Sequence, residues 1–119
     1  MSATFGSYAR ARRERLHERF PREYSVRRLA KTIGVQPSYV SKIEREEVAP
    51  PSEETIIRWA SALEEDPDVM LALAGKVSHD LREAIIKRPQ LFAELIRELK
   101  DLPDTAVLRL AREVRDGNW

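Results

Sequence analysis

The sequence contains no cysteine, only two histidines and no long apolar run. The absence of cysteine excludes a disulfide framework, a thiolate zinc site and a cysteine nucleophile. No apolar stretch reaches the roughly 20 residues that a transmembrane helix needs, and the N-terminal segment lacks the apolar core of a signal peptide. These absences predict a cytoplasmic protein that does not enter a membrane.

Patterns typical of catalytic and metal sites are also missing. His17 and His79 lie far apart in the sequence and lack the spacing of metal ligands. Adjacent glutamates such as Glu46 and Glu47 point in different directions rather than towards one substrate. There is no glycine-rich phosphate-binding loop and no paired nucleophile and base. We therefore expect no enzyme activity, no cofactor and no metal ion.

The residues that are present favour an all-α protein. Only four glycines and seven prolines interrupt 119 residues, of which 42% are hydrophobic and 34% charged, as is typical of helices joined by short connections. The net charge of +1 hides an uneven distribution. Residues 1–34 carry nine basic side chains against three acidic ones, whereas residues 35–75 carry three against nine. The basic part suits a polyanionic partner, and the acidic part should face away from it.

Residues 25–45 predict two short helices joined by a tight turn. The hydroxyl of Ser25 can cap the first helix, and Gly34 supplies the backbone freedom for the turn. The apolar residues of the first helix share one face because they recur every three or four positions: Val26, Leu29, Ala30 and Ile33.

The second of these helices has an unusually polar outer face. It begins at Gln36 or Pro37, since proline is tolerated in a first turn, and only Val40 and Ile43 are expected to be buried. A short helix with a narrow apolar stripe and a polar outer face is typical of a helix that reads DNA in the major groove. Its outward side chains are Gln36, Ser38, Tyr39, Ser41, Lys42 and Arg45.

Three more helices are predicted around this pair. The first spans residues 5–20, the next follows the capping residue Ser52, and the third runs from Asp66-Pro67 to Gly75. Their candidate core residues are Phe5, Ala9, Leu16, Phe20, Ile56, Trp59, Ala60 and Leu63.

The sequence beyond Gly75 predicts three further helices, each with a broad apolar stripe. Helices this short are not stable alone in water, so their apolar faces must pack against something. We favour an interface between two chains; completion of the first domain's core and an effector pocket are the alternatives. The candidate interface residues are Leu91, Phe92, Leu95, Ile96, Leu99, Leu102, Val107, Leu110 and Val114.

Several short motifs together resemble the Xre-type, lambda-repressor-like helix-turn-helix domain of bacterial and phage regulators. They are Leu29-Ala30, the Gly34-Val35 turn, YVSKIER at residues 39–45, Pro51-Ser52, and Ala60 with Leu63. The resemblance covers about residues 5–75. It implies a five-helix domain in which residues 36–45 read DNA bases.

The resemblance also implies roles for individual residues. It pairs Arg13 with Glu44 as a structural contact. The family usually has glycine where this chain has Glu46, so the end of the helix must differ or be slightly strained. The family also commonly has glutamine where this chain has Val26. Base-reading positions fall on Gln36, Pro37, Ser38, Ser41 and Lys42, and phosphate-binding positions on Ser25, Arg27, Tyr39 and Arg45.

The sequence as a whole therefore predicts an all-α transcriptional regulator. Residues 1–75 would form the Xre-like domain, and residues 76–119 a helical extension that joins two chains. The expected partner is double-stranded DNA, which a homodimer would bind at a palindromic operator as a repressor. The alternative is an antitoxin whose C-terminal helices bind a toxin-like protein and whose DNA binding is autoregulatory.

Overall fold

A computed structural model describes residues 3–117 of the chain. These residues form helices and connections without any β-strand, and none of the helices is long and apolar enough to span a membrane. The prediction of an all-α fold is confirmed. The helices are α1 (Phe5–Arg19), α2 (Val26–Ile33), α3 (Pro37–Glu44), α4 (Glu53–Ala62), α5 (Pro67–Leu73), α6 (His79–Lys87), α7 (Pro89–Leu99) and α8 (Asp104–Asp116).

The contacts within the chain define two units, Met1–Ser78 and His79–Trp119. In the first unit, α1 packs on α3, α2 packs on α3 and α4, and α4 packs on α5. Its core is apolar and centres on the fully buried Trp59, whose ring meets those of Phe5 and Tyr39 edge-on at centroid distances of 5.7 and 6.4 Å. The buried side chains are Phe5, Ala9, Leu16, Leu29, Ala30, Ile33, Val40, Ile43, Ile56, Trp59, Ala60, Leu63, Met70 and Leu71.

One predicted core residue of this unit is wrong. Phe20 is 44% exposed, because α1 ends at Arg19 and Phe20 is the capping residue that follows it. Its ring lies beside that of Tyr24, with the centroids 6.3 Å apart. The helical spacing of buried residues in α1 therefore does not include Phe20, which lies just beyond the end of the helix.

The second unit contains α6, α7 and α8, and α6 packs on α7. None of the side chains in these three helices is buried. Ten large hydrophobic side chains of the unit are exposed, which leaves the described residues of this unit without a core.

Candidate nucleic-acid interface

The turn between α2 and α3 is built from local backbone and capping interactions. The hydroxyl of Ser25 accepts a hydrogen bond from the backbone N–H of Arg28 and so caps α2. Gly34 has φ +89° and ψ +36°, a left-handed conformation that suits glycine. The N–H groups of Gly34 and Val35 both donate to the carbonyl of Ala30, which closes the end of α2. Together these bonds set the direction in which α3 begins.

Helix α3 buries one side and exposes the other. Val40, Ile43 and Glu44 are buried against the rest of the first unit. Ser38, Lys42 and Arg45 are exposed. Their spacing of four and three residues places them on one face of the helix, opposite the buried residues. We call Ser38, Lys42 and Arg45 the outward face of α3.

The structure places the predicted base-reading residues at and near this face. Gln36, Pro37, Ser38 and Lys42 are exposed, and Ser41 is half-buried at the edge. Pro37 occupies the first position of α3, and Gln36 precedes it without a capping hydrogen bond from its side chain. The amide of Gln36 therefore has no role in capping the helix.

The four predicted phosphate-binding residues have different surroundings. Ser25 is half-buried and its hydroxyl accepts the capping hydrogen bond of α2. Arg27 is exposed, whereas Tyr39 is half-buried with its ring against Trp59. The guanidinium of Arg45 donates hydrogen bonds to the carboxylate of Glu47. Arg27 is thus the residue of the four whose side chain projects into solvent without another structural role.

A buried ion pair holds α3 against α1. Arg13 Nε lies 2.6 Å from Glu44 Oε2, and Arg13 Nη2 lies 2.9 Å from Glu44 Oε1. Only 11% of the Arg13 side chain and 5% of the Glu44 side chain are exposed. The hydrogen bond to Glu44 raises the pKa of Arg13 above its ordinary value. Arg13 also donates to the carbonyl of Tyr24, so the predicted pair is confirmed and reaches the connection before α2 as well.

Helix α1 also approaches the C-terminal end of α3 very closely. A Cβ atom added at Gly6 would lie 2.3 Å from the carbonyl oxygen of Ile43. Glu46 has φ +61°, a left-handed conformation uncommon for a residue other than glycine. Its carboxylate accepts a hydrogen bond from the hydroxyl of Thr4, the capping residue of α1. The end of α3 was expected to differ from the family because Glu46 replaces a glycine. The difference is that Glu46 adopts the left-handed conformation and is hydrogen-bonded to Thr4 at the start of α1.

Arg58 of α4 connects to the helix-turn-helix in a way that the sequence did not predict. Its Nε donates to the carbonyl of Ile33, the last residue of α2, over 3.0 Å. Its other nitrogens donate to Glu54 and Thr55 on its own helix. The four-residue spacing of Glu54 and Arg58 predicts an ion pair between them on α4. It gives no indication that Arg58 also bonds to the carbonyl of Ile33 on α2.

The charged side chains divide into paired and unpaired groups. Three arginines of α1 form salt bridges with carboxylates: Arg10 with Glu14, Arg12 with Glu65, and Arg13 with Glu44. In contrast, four exposed cations of α2 and α3 form no salt bridge with any described residue. These unpaired cations are Arg27, Arg28, Lys31 and Lys42.

The family comparison agrees with this geometry. A family model described as helix-turn-helix matches residues 18–70. Residues 18–70 form a helix-turn-helix domain of the Xre-type, lambda-repressor-like kind. The recognition made from the sequence is confirmed, and this helix-turn-helix domain supports a DNA-binding role in transcription regulation. No curated protein and no solved structure matches the chain significantly.

Proposed function

We propose that the protein is a cytoplasmic, sequence-specific transcriptional regulator that binds a palindromic operator as a homodimer and acts as a repressor. One observation supports DNA binding above the others. The outward face of α3 adjoins a helix, α2, whose exposed cations Arg27, Arg28 and Lys31 form no salt bridge with a carboxylate among residues 3–117. Such a polar helix face with cations beside it fits a major groove bordered by phosphates.

Within this site we propose that α3 reads bases. Gln36 and Lys42 are exposed and carry donors that can reach base edges. A glutamine amide can pair with adenine through two hydrogen bonds, and a lysine ammonium can donate to guanine. The shorter side chains of Ser38 and Ser41 can bond to either kind of base, and Pro37 can supply an apolar contact.

The proposed anchors to the DNA backbone lie around these readers. Arg27, in the first turn of α2, would contact a phosphate beside the groove, as would the capped end of α2 at Ser25. Tyr39 and Arg45 would contact phosphates from α3. Contacts of this type position the protein without distinguishing bases.

We propose that α6, α7 and α8 join two chains. The ten exposed hydrophobic side chains of this unit have no core to pack into among its described residues, and seven of them are among the proposed interface residues. Residues 76–119 carry nine basic and eight acidic side chains, so two copies would not repel each other strongly. The proposed interface residues are Leu91, Phe92, Leu95, Ile96, Leu99, Leu102, Val107, Leu110 and Val114.

An interface of this kind would explain how specificity is reached. One short α3 contacts few base pairs, so two copies on one face of DNA are needed for a specific site. In a two-fold dimer, half-sites of a palindrome lie about 34–36 Å apart or at a multiple of that distance. The operator would be occluded when the dimer is bound.

The same exposed apolar side chains also favour a second candidate function. An antitoxin could use α6–α8 to bind a toxin-like protein and use the helix-turn-helix domain to regulate its own synthesis. Co-purification of a stoichiometric second protein in place of a homodimer would support this alternative.

Selection of duplexes from a random DNA pool by the full-length chain tests the main proposal. We expect the selected fragments to share a palindromic sequence and to bind more tightly than random duplex, with an affinity that falls steeply as salt rises. Titrations that show no preference for any selected fragment would overturn the proposed sequence-specific function.

A further inference from the structure

Glu47 lies beside the outward face, three residues past the end of α3. Its backbone N–H donates to the carbonyl of Lys42 over 2.9 Å, which fixes the chain near this face. Arg45 Nε lies 2.9 Å from Glu47 Oε1, and Arg45 Nη2 lies 3.1 Å from Glu47 Oε2. Two such bonds between a guanidinium and a carboxylate form a bidentate pair. The carboxylate therefore occupies the donors that Arg45 would offer to a phosphate.

The carboxylate also affects the second cation of the outward face. The hydrogen bond from Arg45 lowers the pKa of Glu47, and Coulombic attraction by Arg45 and then Lys42 lowers it further. Glu47 is therefore charged at neutral pH, and its charge offsets the positive potential around both Arg45 and Lys42. Because the two side chains of the pair are 53% and 50% exposed, the pair is accessible to a competing anion.

We propose that Glu47 restrains Arg45 from binding DNA phosphates and thereby weakens binding to duplex of arbitrary sequence. This inference rests on the proposed DNA-binding function. A phosphate that reaches Arg45 must displace the carboxylate, which then remains nearby as a like charge. Because Arg45 is also a proposed phosphate contact in the operator complex, the restraint acts on both kinds of binding. It is best measured on duplex of arbitrary sequence, whose binding depends almost entirely on contacts between cations and phosphates.

The chain offers a closely matched control. Arg10 Nε and Glu14 Oε1 on α1 are 2.8 Å apart, and the two side chains are 54% and 53% exposed. Glu47→Gln and Glu14→Gln therefore remove the same charge from equally exposed ion pairs, a bidentate pair with Arg45 and a single hydrogen bond with Arg10. Both glutamine variants keep the size of the original side chain, and equal circular dichroism spectra would verify that both fold.

The test measures binding of the full-length variants to a labelled random-sequence duplex over a range of salt concentrations. We expect Glu47→Gln to bind roughly threefold to tenfold more tightly than wild type, because it gains about one phosphate contact. The slope of log binding constant against log salt concentration should therefore be steeper by about 0.9. Glu14→Gln should change the affinity by less than about twofold. Equal effects of the two substitutions would overturn the inference, because the gain would then reflect net charge alone.

A double substitution separates release of Arg45 from simple loss of repulsion. In an Arg45→Ala background, Glu47→Gln should raise the affinity by less than about twofold, because no restrained cation remains. An undiminished gain in that background would also overturn the inference. Failure of wild type to bind any duplex at low salt would overturn the proposed function together with it, whereas normal wild-type binding with an unchanged Glu47→Gln would overturn the inference alone.

Discussion

At the scale of single residues, the Arg13–Glu44 pair differs from the other salt bridges because it is buried. Removal of one partner from such a pair leaves the other charge uncompensated inside the protein. Glu44→Ala should therefore lower the free energy of unfolding by about 3 kcal/mol. Glu14→Ala, which removes the partner of the exposed Arg10, should lower it by less than about 1 kcal/mol.

Denaturant titrations of these two variants check the comparison. Similar losses in both variants would mean that the Arg13–Glu44 pair does not hold α3 against α1 more firmly than a surface pair would. The Arg10–Glu14 pair is a suitable reference because it lies on the same helix as Arg13.

Individual residues of the interface should also differ in how they affect DNA binding. Gln36→Ala and Lys42→Ala should each weaken binding to the selected operator by about 1–3 kcal/mol and relax the preference at particular base pairs. Arg27→Ala should weaken binding to all sequences alike and reduce the salt slope by about 0.9. Titrations against the operator and its single-base variants measure both effects; a uniform loss in all three variants would contradict the division into readers and anchors.

At the scale of elements, the close approach of α1 to α3 makes Gly6 sensitive to substitution. Gly6→Ala would place Cβ 2.3 Å from the Ile43 carbonyl oxygen, a backbone atom that cannot rotate away. One of the two helices must therefore shift. We expect a loss of about 1–3 kcal/mol in the free energy of unfolding, together with weaker binding to the operator because the end of α3 moves.

Gly34→Ala provides a contrast because nothing lies within 4 Å of its added Cβ. The expected loss there is about 1–2 kcal/mol and comes from the left-handed backbone alone. Denaturation curves and operator titrations of both variants test this distinction. Wild-type stability in Gly6→Ala would show that the helices separate there without strain.

The parts of the fold that depend on neighbouring residues could be predicted from the sequence. Capping by Ser25 and Ser52 and the buried faces of α2 and α4 follow from local hydrogen bonding and helical periodicity. The burial of Phe20 was predicted wrongly because periodicity does not reveal the last turn of a helix. The helix-turn-helix domain itself was recognised because several short motifs coincide, although no one of them is specific.

Contacts between distant residues could not be predicted in the same way. The bond from Arg58 to the carbonyl of Ile33 joins positions 25 residues apart. The bond from Arg12 to the carbonyl of Leu63 joins positions 51 residues apart. Each depends on how helices pack, and an arginine in the sequence does not indicate which backbone carbonyl it will meet. The Arg13–Glu44 pair could be predicted only through the family resemblance.

At the scale of the whole molecule, the two units differ in whether they have a core. The first has a set of fully buried side chains, and the second has no buried side chain among its described residues. Deletion of residues 79–119 should therefore leave a folded monomer that binds the operator much more weakly than the full-length dimer. Sedimentation and operator titration test this; a full-length monomer at tens of micromolar, or a truncated chain that still dimerises, would contradict it.

The lack of a core also predicts that helix content depends on protein concentration. Helices α6, α7 and α8 have 9, 11 and 13 residues, lengths that are only marginally helical in water by themselves. Dilution that separates the chains should lower the helical circular dichroism signal of the full-length protein and leave that of residues 1–78 unchanged. A signal that stays constant across dissociation would mean that α6–α8 are stable without a second chain.

The position of Trp59 gives the protein an intrinsic optical probe. Trp59 is fully buried and its ring contacts that of Tyr39 on α3, while the only other tryptophan in the sequence, Trp119, lies outside the described residues. A Trp119→Phe variant therefore confines tryptophan fluorescence to the first unit. Its emission should shift to longer wavelength when that unit unfolds and Trp59 meets water, so the melting of the helix-turn-helix domain can be followed separately from that of α6–α8.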